Sequence, residues 1–183
     1  GKLGLDTFLW TGVTTGQHPD VTERVWEEKP ADEAYPVLHK VFHTPRGDLH
    51  ASVRRTEDWP HGRDIPLASD FNVSRFVEPW LQTMEDVECY AALHRPPGEA
   101  EIRRFRDGLA SLEPLIDRYR VPTLATYTFG LTAGLHLFGA EPMVFLSMDQ
   151  PDVIGRFAAI PATVKSTGIG RILLFADAGN TAR

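Results

Sequence analysis

Two hydrophobic periodicities divide the chain near residue 82. Before that point, short runs of β-branched and aromatic residues are separated by turns that contain Gly and Pro, which predicts strands. One strand is expected at 21–27, and an antiparallel hairpin is expected over 35–56, where TPRGD joins two such runs. Pro45 and Gly47 suit the second and fourth positions of a type I turn in that hairpin. Residues 1–82 are therefore expected to form a β-rich part.

From residue 83 the apolar residues recur at steps of three and four, which is typical of helices that pack on a sheet. A helix is expected near 83–94, because the Thr83 hydroxyl and the Asp86 carboxylate can cap its amino end. A longer amphipathic helix is expected after RPPGE, with Pro114 as a potential kink. Its apolar face consists of Ile102, Phe105, Leu109, Leu112, Leu115, Ile116 and Tyr119.

The pattern in the last third of the chain predicts a strand, then several helices, then a second strand. VPTLATYT predicts a strand, followed by helices near 130–138 and 140–149 and by a helix that Pro151 opens and Pro161 bends. The apolar run RILLFA at 171–176 predicts a strand buried on both faces of a parallel sheet. With the early apolar run LDTFLW, this order predicts an α/β fold. A complete β/α barrel needs about eight such strands, so we expect one domain over 1–183. It would be the amino-terminal half of a (β/α)8 TIM-type barrel, with an inserted antiparallel β-hairpin and a truncated carboxyl end.

Composition excludes several classes of protein. A net charge of -6 with scattered basic residues argues against nucleic-acid binding. No apolar run approaches the roughly 20 residues of a membrane helix, and the first residues do not resemble a signal peptide. Cys89 is the single cysteine, which rules out an internal disulfide and favours a cytoplasmic location. The missing initiator Met and the terminal Arg suggest an excised piece.

Candidate site residues follow from the expected parallel sheet. Such sheets place their working residues beyond the carboxyl ends of the strands, which points to Thr126, Tyr127, Asp177 and Asn180. Asp177 follows an apolar strand and can either bind a ligand or metal or cap the next helix, and both interpretations stay open. His136 lies between apolar neighbours on a short expected helix. From its position alone we expect a histidine at the edge of the core.

The histidines do not predict a metal site. His39 and His43 have a spacing that would bring two ligands together on a helix, but their segment reads as a strand, in which four residues span about 13 Å. No HExxH motif and no cysteine or carboxylate cluster completes a set of ligands. We therefore expect these histidines to lie on the surface or to pack within the hairpin.

Several segments, in this order, resemble the uroporphyrinogen decarboxylase superfamily. They are LGLDTFLW, VFHTPRGDLHASVRR with its T-P-x-G turn, RFVEPWLQTMEDVECYAAL, VPTLATYTFGLTAGLHLFGAEPMVFLSMDQPDVI and ILLFADAGN. That superfamily consists of β/α barrels and also includes cobalamin-linked methyltransferases. The resemblance covers most of the chain and rests on the order and spacing of the segments together.

The resemblance implies a small-molecule enzyme, closer to the methyltransferase and uncharacterised branches than to the decarboxylases. The arginine-rich opening that grips porphyrin carboxylates is absent, and TGVTTG has no acid where the family has its catalytic aspartate. His136 stands near the position of the family's active-site tyrosine, counted from Thr132. The resemblance thus implies catalytic roles for His136 and Asp177, with Thr126, Tyr127 and Asn180 binding substrate.

These observations are consistent with three alternative functions. The first is methyl transfer from a corrinoid or a methylated small molecule to a thiol, with zinc and a corrinoid as cofactors whose ligands would lie beyond residue 183. A corrinoid protein or a second copy of the chain would be its partner. The second is decarboxylation of a small carboxylated or tetrapyrrole substrate. The third is a noncatalytic dimeric binding module that uses Trp26, Trp59 and Trp80 as aromatic anchors.

Overall fold

The computed structural model describes residues 9–11, 17–67, 75–93, 95, 97–121, 123–125 and 131–164. In chain order the elements are β1 (Leu9–Thr11), β2 (Thr22–Glu28), β3 (Val37–Thr44), β4 (Gly47–Arg54), β5 (Phe76–Glu78), α1 (Met84–Leu93), α2 (Glu99–Tyr119), β6 (Thr123–Ala125), α3 (Leu131–Phe138), α4 (Ala140–Asp149) and α5 (Pro151–Val164). They fall into two compact units: a larger one of residues 17–94 and 128–161, and a smaller one of residues 1–16, 95–127 and 162–183. Within the described ranges, no helix is long and apolar enough to cross a membrane.

The prediction of a partial (β/α)8 barrel is wrong. In the residues that the structure describes, the main sheet is antiparallel and has four strands in the order β2-β3-β4-β5, and the two units together contain five helices. Parallel pairing in the described part of the chain is confined to β1 and β6, which have three residues each. The hairpin that was expected to be an insertion is the centre of the sheet, because short connections between successive strands favour antiparallel neighbours.

The hairpin is set by its two-residue turn. Thr44 pairs with Gly47 at the end of the β3–β4 ladder, and the Thr44 hydroxyl donates to the Gly47 carbonyl at 2.8 Å and accepts the Arg46 N–H at 3.0 Å. Gly47 has a φ of +130°, which favours glycine, and a Cβ there would lie 3.3 Å from the Cys89 sulfur. The sequence of the turn therefore determines the register of both strands.

The core of the larger unit lies between the inner face of this sheet and the helices of the same unit, which are α1, α3, α4 and α5. Trp80 stacks at a tilt on Phe42 with ring centroids 5.3 Å apart, and the Phe138 and Phe157 rings meet edge to face at 5.3 Å. Burial of such side chains is the main stabilising term for the unit. Other fully or nearly fully buried members include Leu38, Leu49, Val53, Ile65, Leu81, Val87 and Leu137.

The α1 helix begins as the sequence indicates. The Asp86 carboxylate accepts the Thr83 N–H at 2.9 Å, while the Thr83 hydroxyl accepts the Asp86 N–H at 3.2 Å. This reciprocal cap satisfies backbone donors that the helix leaves unpaired. Arg156 of α5 then binds Glu88 of α1 through two hydrogen bonds of 2.6 and 3.1 Å, which joins the two helices.

The α2 helix of the smaller unit lies after RPPGE, as expected. Its apolar residues share one face, and none of them is fully buried. The packing of this helix on a sheet stays a prediction. Pro114 lies inside the helix without ending it. The helix ends at Arg120, whose φ of 53° and ψ of 40° are left-handed.

Candidate functional site

Four polar side chains form a hydrogen-bonded chain across the outer face of the main sheet. The Glu28 carboxylate contacts Nε2 of His39 at 3.0 Å, and Nδ1 of His39 contacts Nε2 of His50 at 3.3 Å. Nδ1 of His50 contacts the Glu78 carboxylate at 2.8 Å. One residue comes from each of the strands β2, β3, β4 and β5, and we call this set the Glu-His-His-Glu chain.

Strand register brings these residues to one face. Trp26 pairs with His39 across β2 and β3, His39 pairs with Ser52 across β3 and β4, and Ser52 pairs with Glu78 across β4 and β5. Side chains alternate between faces along a strand, so His50 emerges beside Ser52 on the same face, one diagonal step from His39. The chain therefore follows from pairing across four strands and not from neighbours in sequence.

Trp26 covers the histidine pair. Its ring is nearly parallel to that of His39, with centroids 4.9 Å apart and 6° between planes, and it lies 5.6 Å from the ring of His50. The two imidazole planes differ by 18°, and their nitrogens meet, so the rings are arranged edge to edge. The Arg24 guanidinium lies 5.3 Å from the centroid of the Trp26 ring. This layering holds both imidazoles in fixed orientations.

The number of protons in the chain follows from its contacts. Two imidazoles have four ring nitrogens, and the His39–His50 contact needs one proton between its two nitrogens. Each carboxylate contact needs a proton on the nitrogen that faces it. With both carboxylates ionised, all three contacts are hydrogen bonds when the pair holds three ring protons, that is, one imidazolium and one neutral imidazole.

Burial differs between the middle and the ends of the chain. The His39 and His50 side chains are 15% and 29% exposed, whereas Glu28 and Glu78 are 56% and 45% exposed. The less exposed middle of the chain thus lies between two carboxylates that water can reach. Gln82 adds a contact of 3.4 Å from its amide nitrogen to Glu78.

The chain is not arranged as a metal site. Each of its ring nitrogens faces another protein group, and no group of three or more potential His, Cys, Asp or Glu ligands is present in the described ranges. His43, the second histidine of the expected strand, bonds Asp48 at 2.8 Å instead of sharing a site with His39. His50 was missed as the partner of His39. Counting the register outward from the TPRGD turn would have found it.

A second charged group lies on the inner face of the same sheet. Lys40 is buried and pairs with Asp64 at 2.6 Å and with Glu23 at 3.2 Å, and its ammonium lies 4.7 Å from the centre of the Phe42 ring. Both partners neutralise the buried charge, and Asp64 ties the 57–66 connection to the sheet. This group serves the fold.

The residues predicted from the parallel sheet are not brought together by the part of the structure that can be described. Thr126, Tyr127, Asp177 and Asn180 lie outside the described residues. His136 lies on α3 and is 8% exposed, between core residues of the larger unit. Their roles in a site stay predictions.

Cys89 does not supply a nucleophile in this structure. The side chain is buried on α1, and burial raises the pKa of the thiol above its ordinary range. A buried thiol with a raised pKa stays protonated near neutral pH, and the thiol is a much weaker nucleophile than the thiolate.

A separate cleft of about 470 Å³ lies at the open end of the hairpin, also within the larger unit. Its walls include Tyr35 and Pro36 from the segment before β3, and Arg55, Glu57 and Trp59 from the segment after β4. Its volume is within the range of roughly 300–1,000 Å³ that is usual for small-molecule pockets. Aromatic and charged side chains line it together.

Comparison of the chain with family models, with curated proteins and with solved structures finds no match.

Proposed function

We propose that the outer face of the main sheet is an acid–base site, in which the Glu-His-His-Glu chain transfers a proton to or from a small molecule. The observation that carries the proposal is the unbroken series of contacts at 3.0, 3.3 and 2.8 Å from Glu28 to Glu78. Histidine is the side chain best suited to proton exchange near neutral pH.

The balance of charge supports a transferable proton. Two carboxylates flank a pair that holds one positive charge, and this arrangement stabilises the imidazolium without locating it on His39 or on His50. When Glu28 or Glu78 takes up a proton from a substrate, its carboxyl group becomes neutral and no longer attracts the imidazolium charge on the neighbouring histidine. The excess proton then moves toward the other carboxylate through the His39–His50 contact.

Access to the chain is at its ends. Both imidazoles are engaged at both nitrogens, so a substrate would meet Glu28 or Glu78 and not a free ring nitrogen. General acid–base groups of this kind typically contribute about 10²- to 10⁴-fold in rate.

Decarboxylation, one of the functions expected from the resemblance, uses such a group. Loss of carbon dioxide leaves a carbanion that needs a proton. Glu28 or Glu78 would take this proton from the imidazolium beside it and pass it to the carbanion, and water would then restore the ring proton. A tetrapyrrole with several carboxylates is a poor fit, because the two glutamates would repel it. Methyl transfer stays a prediction that rests on the resemblance alone.

Isosteric variants can test the proposal. In Glu78→Gln the side-chain amide can donate a hydrogen bond to Nδ1 of His50, so this nitrogen no longer needs its own proton. The histidine pair can then be neutral, with two ring protons, and still make all three hydrogen bonds. Glu28→Gln has the same effect from the other end. We expect ¹⁵N NMR of the labelled protein to show three ring protons on the pair in the wild type and two in each variant. The fold should be unchanged.

The same variants should lose proton-transfer activity. The probe is the base-promoted elimination of 5-nitrobenzisoxazole, and wild-type protein should accelerate it at least about tenfold more than either Gln variant, given the usual contribution of a general base. His43→Gln is the matched control, because it removes a histidine from the same strand but outside the chain. Equal rates in all four proteins, or two ring protons in the wild type, would refute the proposal.

A further inference from the structure

We infer that the cleft at the open end of the hairpin binds a planar, uncharged heteroaromatic molecule that has both hydrogen-bond donors and acceptors on its edge. A nucleobase has this chemistry. None of the residues that line the cleft belongs to the Glu-His-His-Glu chain.

The aromatic walls of the cleft provide the surface for a flat ligand. Tyr35 is 40% exposed, and Trp59 also lines the cleft. Stacking of a base on an aromatic side chain is tolerant of ring type, since every base has a π-face. An aromatic lining of this kind favours a planar ligand.

The charges of the lining select against an anion. Arg55 is already held by Glu27, with Nε 2.7 Å and Nη2 3.2 Å from the two carboxylate oxygens. This pair is neutral as a unit, so Glu57 is the remaining charge of the lining. A ligand must donate a hydrogen bond to Glu57, and it can accept one from the outer edge of the Arg55 guanidinium. A heteroaromatic ring with an amino group beside a ring nitrogen meets both requirements.

The cleft is formed before any ligand arrives. The Arg55 N–H donates to the Pro36 carbonyl at 2.8 Å, and Arg54 makes two hydrogen bonds of 2.8 Å to Glu33. Lys29 donates to the carbonyls of Glu33 and Ala34. These contacts hold the segment before β3 against the end of β4, so binding would not have to order a loop.

Trp59 is also held in place. The Arg75 guanidinium lies 5.6 Å from the ring centre, and His61 meets the ring edge at 4.9 Å with 76° between planes. The indole Nε1 is buried and has no hydrogen-bond acceptor in the described part of the chain. A buried donor without an acceptor is costly, so the contacts of Arg75 and His61 with the ring are what hold Trp59 in this position.

Titration of the full chain with adenine tests the inference, with binding followed by tryptophan fluorescence and by calorimetry. Benzoate and indole are the comparison probes, because benzoate is an anion and indole lacks a ring acceptor. We expect adenine to bind more tightly than either. Tyr35→Ala should weaken adenine binding at least about fivefold, as expected for the loss of one stacking surface, and Glu57→Gln should weaken it as well.

Matched controls separate the cleft from general surface binding. Tyr119→Ala removes another exposed tyrosine, which is 58% exposed and lies on α2, and should leave the affinity unchanged. Glu28→Gln, which disables the proposed acid–base site, should also leave it unchanged. Absence of adenine binding, tighter binding of benzoate, or equal losses in Tyr35→Ala and Tyr119→Ala would each overturn the inference.

Discussion

Replacing His39 by Ala should cost far more stability than replacing His43 by Ala, although both histidines lie on β3 and face the same side of the sheet. His39 loses a hydrogen bond of 3.0 Å to Glu28, one of 3.3 Å to His50, and its stacking on Trp26. Hydrogen bonds contribute about 1 kcal/mol each and aromatic pairs about 0.5–1.5 kcal/mol. With a discount for the exposed Glu28, the loss should be roughly 2–3 kcal/mol.

His43 is the control because its single partner is exposed. Its side chain and that of Asp48 are 48% and 64% exposed, so His43→Ala should cost at most about 0.5 kcal/mol. Urea unfolding, followed in parallel by far-ultraviolet circular dichroism and by tryptophan fluorescence, measures both losses. If the two variants have the same free energy of unfolding within about 0.5 kcal/mol, the Glu-His-His-Glu chain does not stabilise the sheet and the reasoning fails.

Three further predictions concern other parts of the larger unit. The bond to Arg156 lowers the pKa of Glu88 below its ordinary value of 4.5, so this pair stabilises the fold above that pH and its contribution is lost as pH falls through the lowered pKa. Glu88→Gln should reduce the free energy of unfolding by up to about 1 kcal/mol at pH 7 and by less in acid, as acid titration of both proteins would show. Because burial raises the pKa of Cys89, iodoacetamide should modify it slowly in the folded protein and rapidly in urea, as mass spectrometry would show; equal rates would contradict its burial. Gly47→Ala should destabilise the protein by about 1–2 kcal/mol in thermal unfolding, whereas Gly62→Ala, also at positive φ but without a close neighbour, should cost less.

The local elements were predictable because their causes are local. The reciprocal cap of Thr83 and Asp86, the TPRGD turn and the opening of α5 at Pro151 each depend on residues within one turn of backbone. The architecture was not predictable in this way. The sequence suggested that the hairpin interrupts a parallel sheet, and the structure shows a four-stranded antiparallel sheet with the hairpin at its centre.

The sequence by itself determined the hairpin and its turn, the cap of α1 and the approximate positions of the helices, since capping, turn geometry and apolar spacing act over a few residues. Only the tertiary structure decided which strands are neighbours and which side chains meet. Glu28, His39, His50 and Glu78 are separated by up to 28 positions along the chain between bonded partners, and strand register brings them into one hydrogen-bonded series. A shift of one residue in any strand would turn its member of the series to the opposite face. The candidate site therefore depends on the pairing of four strands, a choice that no single segment encodes.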